Sequence, residues 1–563
     1  MNTRSVLGGC GAGVLIAFPS IWPQLSPGHT TLYHSRLPNN DVTWGVLLAL
    51  SVTSFFFALF FLFMEKKDPE FRSFSWVLAA AALAPAAASV HSTAAGRSDQ
   101  PLICAIAFCL TLCAAAGLWW LRPTFYQTVM QKSFIALSLV GFSIVWMAPE
   151  LFYLAARHQP VDWQGYANAV PADRAACHCG LQGSGRRIVW LLFDELSFDQ
   201  TFEHRFPGLA LSNFDQLERE SVTFQSLAPA GYFTERVVPS LFLGQTVDGI
   251  HSDLDGWPKI RLAGRRDWRA FDAHATLFAD AERFGWTTGV VGWFNPYCRV
   301  LATTLDFCYS KISFEPGTAS AGDVVLQNAI APIENKWRLM TGDQEDVERQ
   351  HEADLQDILQ QAQGLIRNEK ILFVFIHLPL PHPPGIYDRK TEQMREGGTY
   401  IDNLALADRA LGELTSTLNA TRLASETTLI VSSDHSWRVP MWQAAPGWTK
   451  EEEEASQGKF DARPVLMIHF PSETQATRFP EPFQALRLHD VLLHMLHGEL
   501  SSQAQLLDWL QQGSQPIQIC DRSSAQSDQA PAFSLRRRRS SYAGTTTPVH
   551  SPKPMLTKPS RSL

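Results

Sequence analysis

Four short stretches of this sequence carry side chains that could hold a metal ion beside a nucleophile. Asp194 and Glu195 are adjacent carboxylates, and Asp434 is followed directly by His435. Carboxylate oxygens and an imidazole nitrogen together suit a divalent cation such as Zn²⁺ or Mn²⁺. Thr234 offers a hydroxyl that a bound cation could activate for attack. These residue types therefore indicate a metal site beside a possible nucleophile.

The carboxylate pair follows an unbroken apolar run, Ile188 to Phe193. A short run without alternation predicts a strand buried on both faces, as in a parallel sheet. Open α/β sheets bind ligands at the carboxyl ends of their strands. Two acids at that position are costly without a positive partner, which a metal ion would supply. The alternative interpretation is that an acid caps a following helix.

Thr234 allows two interpretations. It follows Gly231 and precedes a helical run, which is where an N-cap residue stands. The same position suits a nucleophile, because the positive end of a helix stabilises an alkoxide and an incoming phosphate.

Two further predicted strands end in polar residues of the kind that bind metals or substrates. A buried strand over 371–376 is followed by His377 and His382, at and just past its carboxyl end in a proline-rich loop. A strand over 428–432 leads into the Asp-His pair. Ligand-type residues at three strand ends indicate a shared site more strongly than any one of them alone.

The remaining pattern alternates helices with strands, which is typical of an α/β domain with a parallel sheet. The spacing predicts helices over 268–284, 346–366, 404–418 and 489–500, and strands over 285–294 and 463–468.

Composition divides the chain. Its 563 residues predict more than one domain, and a net charge of −8 gives no reason to expect a nucleic-acid partner. Residues 1–156 are apolar with few charges, whereas the rest resembles a soluble protein. Five apolar segments have about the 20 residues needed to cross a bilayer. They span 5–23, 44–64, 75–93, 101–121 and 133–154.

The basic residues predict how these segments are oriented. The more basic connections carry Arg4, Lys66, Lys67, Arg72, Arg122 and Lys132. The other connections carry only Arg36 and Arg97. By the positive-inside rule, the N-terminus is cytoplasmic and everything after the fifth segment lies outside. The first segment could instead be a cleaved signal peptide. The apolar stretch before Cys10 is too short for a lipoprotein signal, so an uncleaved helix is favoured.

The predicted orientation places the cysteines after residue 156 in an oxidising compartment, where disulfides form. Residues 157–187 predict a polar linker. Its Cys177 and Cys179 lack the second cysteine pair that a zinc site needs. We therefore expect each of them to form a disulfide with a partner elsewhere. Cys298 and Cys308 predict a local disulfide, the alternative being two unpaired buried thiols. The Ser-, Pro- and Arg-rich residues 516–563 predict a disordered tail.

In this order, the four stretches resemble the alkaline phosphatase superfamily in its sulfatase-like branch. The resemblance rests on Asp194-Glu195 after its strand, Thr234 with Pro239 and Gly244 after it, the two histidines, and Ser433-Asp434-His435. With five membrane helices in front, the layout is similar to phosphoethanolamine transferases and lipoteichoic acid synthases. It implies an α-helical membrane domain (1–156) and a sulfatase-like α/β domain (188–515) with a mostly parallel central sheet.

The resemblance also implies roles for individual residues. The implied metal ligands are Glu195, Asp194, Thr234, Asp434 and His435. Thr234 matches the nucleophile. His382 matches a catalytic histidine that binds the transferred or departing group. His377 and Arg236 are expected to contact substrate.

Two departures from the family pattern limit the expected reaction and the expected number of metal ions. Sulfatases carry a modified Cys or Ser in a Cys/Ser-x-Pro-x-Arg box, and Thr234 has no such box, which argues against sulfate ester hydrolysis. The transferases carry a further histidine after the Asp-His pair, and residues 436–465 contain none. We therefore expect one divalent metal, Zn or Mn, rather than two.

The resemblance, together with the predicted orientation, implies a metal-dependent enzyme embedded in the cytoplasmic (inner) membrane, with its catalytic domain in the periplasm. It would move a phosphoethanolamine- or phosphoglycerol-type headgroup from a phospholipid donor, through a phospho-threonine, to an envelope glycan or lipid acceptor. The alternatives are a phosphodiesterase or phosphatase of the same fold, and an envelope scaffold without catalysis.

Overall fold

The structure, a computed structural model, describes most of the chain. The described residues are 3–25, 39–94, 100–157, 186–252, 258–311, 345–443, 447–471 and 473–512. Almost all of the predicted linker, with Cys177 and Cys179, lies outside them, and so does the predicted disordered tail.

Within its described residues, the N-terminal part forms five helices. They are α1 (Thr3–Leu25), α2 (Asn39–Glu65), α3 (Pro69–Ala94), α4 (Gln100–Leu121) and α5 (Pro123–Arg157). Within the described residues, one stretch is long and apolar enough to cross a bilayer, Trp44–Met64 in α2. α1 and α4 contain shorter apolar stretches, Val6–Ala17 and Ile106–Leu121. The number of helices agrees with the sequence, but the crossing of a membrane by all five stays a prediction.

Two glycines let α1 approach α2 closely. A Cβ on Gly9 would lie 2.3 Å from the backbone of Ala58, and one on Gly13 would lie 2.5 Å from that of Ser54. Small residues four apart commonly allow such close packing between membrane helices. α1 also packs against α5; that this helix is not cleaved stays a prediction.

The α/β part is built on an eight-stranded sheet. Its strands run in the order β14-β2-β13-β12-β1-β9-β7-β8. Only β13 is antiparallel to its neighbours, β12 and β2, so the predicted mostly parallel sheet is confirmed. The strands of this part are β1 (Arg187–Asp194), β2 (Val222–Phe224), β3 (Leu227–Ala228), β4 (Val247–Ser252), β5 (Pro258–Leu262), β6 (Arg269–Ala270), β7 (Thr288–Trp293), β8 (Phe307–Lys311), β9 (Phe373–Pro381), β10 (Gly385–Asp388), β11 (Gln393–Gly398), β12 (Thr427–Ser433), β13 (Leu466–His469), β14 (Thr477–Phe479) and β15 (Phe483–Gln484).

Helices cover both faces of this sheet. They are α6 (Ser212–Glu218), α7 (Thr234–Leu243), α8 (Leu277–Arg283), α9 (Tyr297–Val300), α10 (Glu345–Arg367), α11 (Tyr400–Asn419), α12 (Val439–Trp442), α13 (Lys450–Ser456), α14 (Leu488–His497) and α15 (Gln503–Gln512). One hydrophobic layer includes α7, α8 and α14, and the other includes α6, α10 and α11.

β1 explains why its sequence shows no polar alternation. Ile188, Trp190 and Leu192 pack into the first layer, whereas the residues between them pack into the second. Successive side chains of a strand point to opposite faces. Because both faces are covered by helices, every position of the run must be apolar.

Two element boundaries differ most from the sequence prediction. The helix predicted over 268–284 begins only at Leu277, because Arg269 and Ala270 pair with β5. The strand predicted over 371–376 continues to Pro381. Its pairing with β7 ends at Ile376, so the prolines beyond that point remove no hydrogen bond to β7. His377 therefore lies within β9, rather than in a loop.

The predicted disulfide is present. Cys298 and Cys308 are bonded with an S–S distance of 2.09 Å, which joins α9 to β8. The alternative of two unpaired thiols is therefore wrong.

Candidate active site

The ends of two adjacent strands bring the predicted acids together. β1 pairs with β12 in parallel, with Phe193 beside Ser433. Asp194 and Asp434 therefore extend from the same edge of the sheet, as expected for the carboxyl ends of parallel strands. Both carboxylates are fully buried.

The adjacent acids Asp194 and Glu195 face different partners. Glu195 has a left-handed backbone (φ 68°), which costs a non-glycine residue on the order of 1–3 kcal/mol. Its amide donates to Asp434 Oδ1 at 3.2 Å and its carbonyl accepts from the Tyr400 hydroxyl at 2.7 Å. This turn directs the Glu195 side chain to Arg438. Neither acid caps a helix.

The Thr234 hydroxyl faces the acids and does not cap α7. The N-cap position belongs to Phe233, and no side chain caps this helix. Thr234 Oγ1 lies 3.4 Å from Asp194 Oδ2 and 3.1 Å from His435 Nε2. Of the two interpretations of Thr234, the structure favours the one in which its hydroxyl belongs to a site.

Three side chains around this hydroxyl fit a divalent cation. Asp194, Asp434 and His435 each offer a ligand atom within 4.8 Å of the others. The oxygens Asp194 Oδ1 and Asp434 Oδ2 are buried and make no hydrogen bond. Burial, and then the charge of Asp434, hold the pKa of Asp194 well above its usual value. His435 Nε2 lies 3.1 Å from Asp434 Oδ2 and 3.7 Å from Asp194 Oδ1. One ring nitrogen cannot satisfy two buried carboxylates, and a cation between them would supply the positive partner that they need.

Asp194→Asn is expected to abolish metal binding and to stabilise the metal-free protein. Asparagine keeps the shape of the side chain but removes the charge buried beside Asp434, a gain on the order of 1 kcal/mol. We expect bound Zn²⁺ or Mn²⁺ to fall to near zero by elemental analysis, and the thermal midpoint of the metal-free protein to rise.

The matched control is Asp199→Asn. Asp199, Glu203 and His204 form another group of possible ligands, but it is largely exposed. Metal content should stay unchanged in this control. A full complement of metal in Asp194→Asn would contradict the assignment.

Arg438 occupies the space between Glu195 and His382. Its Nε donates to Glu195 Oε1, and its Nη2 donates to His382 Nε2 at 3.1 Å. Trp442 Nε1 donates to both Glu195 oxygens, at 3.0 and 2.8 Å. Asp194, Glu195 and His382 form a second group of possible ligands, and the guanidinium already holds two of its members. The structure thus pairs Glu195, a predicted metal ligand, with Arg438.

Arg438 keeps its positive charge although it is buried. Burial works against the charged form, but the carboxylates of Glu195, Asp194 and Asp434 outweigh it and raise the pKa of Arg438 above its usual value. A fixed positive charge therefore lies beside the candidate cation site.

His382 is a neutral imidazole beside that guanidinium. Burial, and then the charge of Arg438, hold its pKa well below the usual value. Its Nδ1 contacts the Pro383 carbonyl and its Nε2 accepts from Arg438. One of its ring nitrogens also lies within 4.8 Å of Asp194 and Glu195 carboxylate oxygens, so the structure places His382 at the edge of the site.

His377 points one nitrogen into the site. Its Nε2 lies 3.7 Å from Asp194 Oδ2 and makes no hydrogen bond. Its Nδ1 lies 2.7 Å from the Tyr297 hydroxyl, which fixes the orientation of the ring. Burial lowers the pKa of His377 to about 4, so it is neutral near pH 7.

Arg236 is the predicted site residue that the structure does not bring into the cluster. Its side chain is 43% exposed, lies 4.0 Å from Glu235 and stacks over the Phe233 ring at 5.4 Å. Within the described residues we find no contact between this guanidinium and Asp194, Asp434 or His435.

Sequence reasoning missed Arg438, Trp442, Tyr232 and Tyr297. Arg438 follows His435 by three residues, so its proximity to the site carried a signal that could have been used. Trp442 lies one helical turn further on. The ring of Tyr232 stacks on His435 with centroids 6.4 Å apart. Tyr297 lies far away in the sequence, and only the fold brings it to His377.

Buried neutral histidines predict a loss of stability in acid. Burial lowers the pKa of His351 to about 4, and its Nε2 has no hydrogen bond. The unfolded chain, with a pKa of about 6.5, binds more protons between these values. We therefore expect stability to fall as the pH drops from about 6.5 to about 4 and then to level off, with roughly 3 kcal/mol from this histidine.

His351→Gln should remove that part of the pH dependence. Urea unfolding of the detergent-solubilised chain at pH 7 and pH 4.5 measures it. His274→Gln is the control, because its ring is exposed. An unchanged difference between the two pH values in His351→Gln would contradict the prediction.

The comparisons with known proteins agree with this geometry. The sulfatase family model matches residues 186–495, more than half of the chain. The chain therefore belongs to the sulfatase family, within the alkaline phosphatase superfamily. Members of this superfamily are metal-dependent enzymes, which agrees with the group formed by Asp194, Asp434 and His435.

Individual solved structures show only weak similarity. The structure of Ps i-CgsB is 16% identical and covers 57% of this chain and 74% of its own, with a TM-score of 0.39. The phosphonate monoester hydrolase of Agrobacterium radiobacter is 12% identical and covers 55% and 74%, with a TM-score of 0.34. An alkaline phosphatase superfamily protein from Vibrio parahaemolyticus is 16% identical and covers 56% and 67%, with a TM-score of 0.34. A search of curated proteins found no match. The family assignment rests on the family model.

Proposed function

We propose that this protein is a metal-dependent transferase of the cytoplasmic (inner) membrane. It moves a phosphoethanolamine- or phosphoglycerol-type headgroup from a phospholipid, through a phospho-threonine, to an envelope glycan or lipid. In this proposal residues 1–156 form the five-helix membrane domain, 157–187 the linker, 188–515 the periplasmic catalytic domain and 516–563 the tail.

One observation carries the proposal. The Thr234 hydroxyl lies against a buried set of Asp194, Asp434 and His435, two of whose oxygens make no hydrogen bond. A nucleophile within reach of a cation site is the arrangement that phosphoryl transfer needs. The predicted ligand Glu195 is paired with Arg438, so we propose Asp194, Asp434, His435 and Thr234 as the ligands of one Zn²⁺ or Mn²⁺.

When bound, the cation would lower the pKa of the threonine hydroxyl and offset the negative charge of the substrate. Asp194 Oδ2, 3.4 Å from Thr234 Oγ1, accepts the hydroxyl proton as the oxygen attacks phosphorus. The Oγ–P bond forms and the bond from phosphorus to the diacylglycerol oxygen breaks. Asp194 passes that proton to the departing oxygen, toward which His377 Nε2, with no hydrogen bond in the protein, is placed to donate a hydrogen bond.

The second half of the reaction reverses the first. An acceptor hydroxyl attacks the phospho-threonine and gives its proton to Asp194. Thr234 Oγ1 leaves and regains the proton held by Asp194. Throughout, Arg438 keeps a fixed positive charge beside the phosphoryl oxygens, where preorganised charge lowers the barrier most. His382, which accepts a hydrogen bond from Arg438, orients that guanidinium toward the transferred group.

Hydrolysis through the same intermediate is the second candidate. The family match favours it, because sulfatases are hydrolases that use water as the acceptor. The same residues would act, and only the second half of the reaction would differ, with water in place of the acceptor hydroxyl.

The fate of the headgroup separates the two candidates. The full chain is reconstituted with phosphatidylethanolamine and phosphatidylglycerol labelled in the headgroup, with and without an envelope lipid extract. We expect label on the acceptor lipid, and slow release of free headgroup when the acceptor is absent. Fast release that is indifferent to the acceptor would make the protein a hydrolase. No labelled product in either case would defeat both.

A further inference from the structure

The exposed apolar side chains of the α/β domain are concentrated at the mouth of the candidate active site. Among its described residues, the large hydrophobic side chains more than a third exposed are Phe233, Trp268, Val347, Met441 and Phe460. Three of these five adjoin residues of the site. Scattered apolar residues on a surface are ordinary, whereas a cluster at a binding site marks an interaction.

The link between these side chains and the site is direct. Phe233 immediately precedes Thr234, and its ring contacts Tyr232 with centroids 5.1 Å apart. Tyr232 stacks on His435 on one side and contacts the Phe460 ring, 6.1 Å away, on the other.

Met441 lies on α12 beside Trp442, whose indole holds the Glu195 carboxylate. We call Phe233, Met441 and Phe460 the apolar rim.

Basic side chains accompany the rim. Arg236 stacks over the Phe233 ring at 5.4 Å, and the exposed Lys459 precedes Phe460. Aromatic residues flanked by Arg and Lys suit the boundary of a bilayer, where rings enter the acyl region and cations stay at the phosphates. A soluble phosphodiester would need the cations but would leave the rings in water.

We propose that the apolar rim contacts the acyl chains of a phospholipid bilayer, so that the site takes its donor directly from the membrane surface. This inference rests on the proposed function for the identity of the donor, and on the rim alone for the contact with lipid. The membrane-length stretch Trp44–Met64 in the same chain supports a bilayer as the partner, rather than a protein.

Photo-cross-linking tests the contact without requiring turnover. The full chain is reconstituted in vesicles of phosphatidylethanolamine and phosphatidylglycerol that contain a phospholipid with a diazirine in its acyl chain. We expect cross-links in the peptides that carry Phe233, Met441 and Phe460, as well as in Trp44–Met64. The peptide of Val347, which is 53% exposed, is the internal control. Cross-links confined to the helical part, or equal labelling of Val347, would overturn the proposal.

A kinetic comparison tests whether the apolar rim helps the enzyme to act on a donor in a bilayer. The double variant Met441→Ser/Phe460→Ser is assayed on the vesicle donor and on soluble bis(p-nitrophenyl) phosphate. We expect the ratio of kcat/KM for the vesicle donor to that for the soluble diester to fall roughly tenfold or more, while Val347→Ser leaves the ratio unchanged. An unchanged ratio in the double variant would overturn the proposal that the apolar rim contacts the bilayer. If the wild type turns over neither substrate, the proposed function fails. The cross-links still decide whether the apolar rim contacts acyl chains.

Discussion

Thr234→Ala is expected to abolish turnover and to leave the fold intact. The substitution removes the attacking oxygen, and the loss of a nucleophile costs at least about a thousandfold in kcat. The side chains that we propose as the other cation ligands remain, so metal content should change little. Initial rates with labelled phospholipid, together with circular dichroism and the thermal midpoint, measure both parts of the expectation.

Thr234→Ser is the matched control, because it retains a hydroxyl at the same place. We expect measurable activity in this variant and a covalent adduct on the new serine. Metal-dependent turnover close to that of the wild type in Thr234→Ala would contradict the role given to this residue.

Arg438→Met is expected to cause the largest loss of stability among the site variants. Glu195 is fully buried, and removal of its partner would leave an uncompensated charge. Breaking a buried pair from one side typically costs about 3–5 kcal/mol. Chemical unfolding of the detergent-solubilised chain measures the loss, and activity should fall with it, because the fixed positive charge is gone.

The double variant Glu195→Gln/Arg438→Met separates stability from function. Removal of both charges should restore much of the stability, since no buried charge is left unpaired. Activity should not return, because the guanidinium beside the phosphoryl oxygens is still missing. Equal losses of stability in the single and the double variant would show that Glu195 and Arg438 are not energetically coupled.

The sequence predicted the sheet well where a local pattern reports directly on burial. The run Ile188 to Phe193 is apolar throughout because β1 packs on two layers of helices, and an unbroken run is what that environment requires. The predicted meeting of strand ends follows from parallel strand order. The family and the α/β fold could therefore be predicted from the sequence.

The choice between Asp194 and Glu195 could not be predicted. The backbone conformation between two adjacent residues decides where each side chain points. Here Glu195 has a positive φ, which depends on contacts with Tyr400 and Asp434. The partner of the turned side chain, Arg438, lies on another loop. Likewise, the start of α8 was misplaced because the pairing of β6 with β5 is a non-local contact that no local pattern reports.

The N-terminal helical part shows a different limit. Five helices were predicted and five are present, yet only Trp44–Met64 meets the length and hydropathy expected of a spanning helix within the described residues. α3 is rich in alanine, which is barely apolar, so its preference for lipid depends on neighbours as well as on composition.

The central claim is that Thr234 carries the transferred group while it lies among Asp194, Asp434 and His435. Peptide mass spectrometry of the full chain, incubated with phosphatidylethanolamine and phosphatidylglycerol in the presence of Zn²⁺ or Mn²⁺ and quenched in acid, tests this claim directly. The account predicts the mass of a phospho-headgroup on Thr234, present in the wild type and lost in Asp194→Asn. A headgroup adduct on a different residue, or turnover with Thr234 never modified, would contradict it.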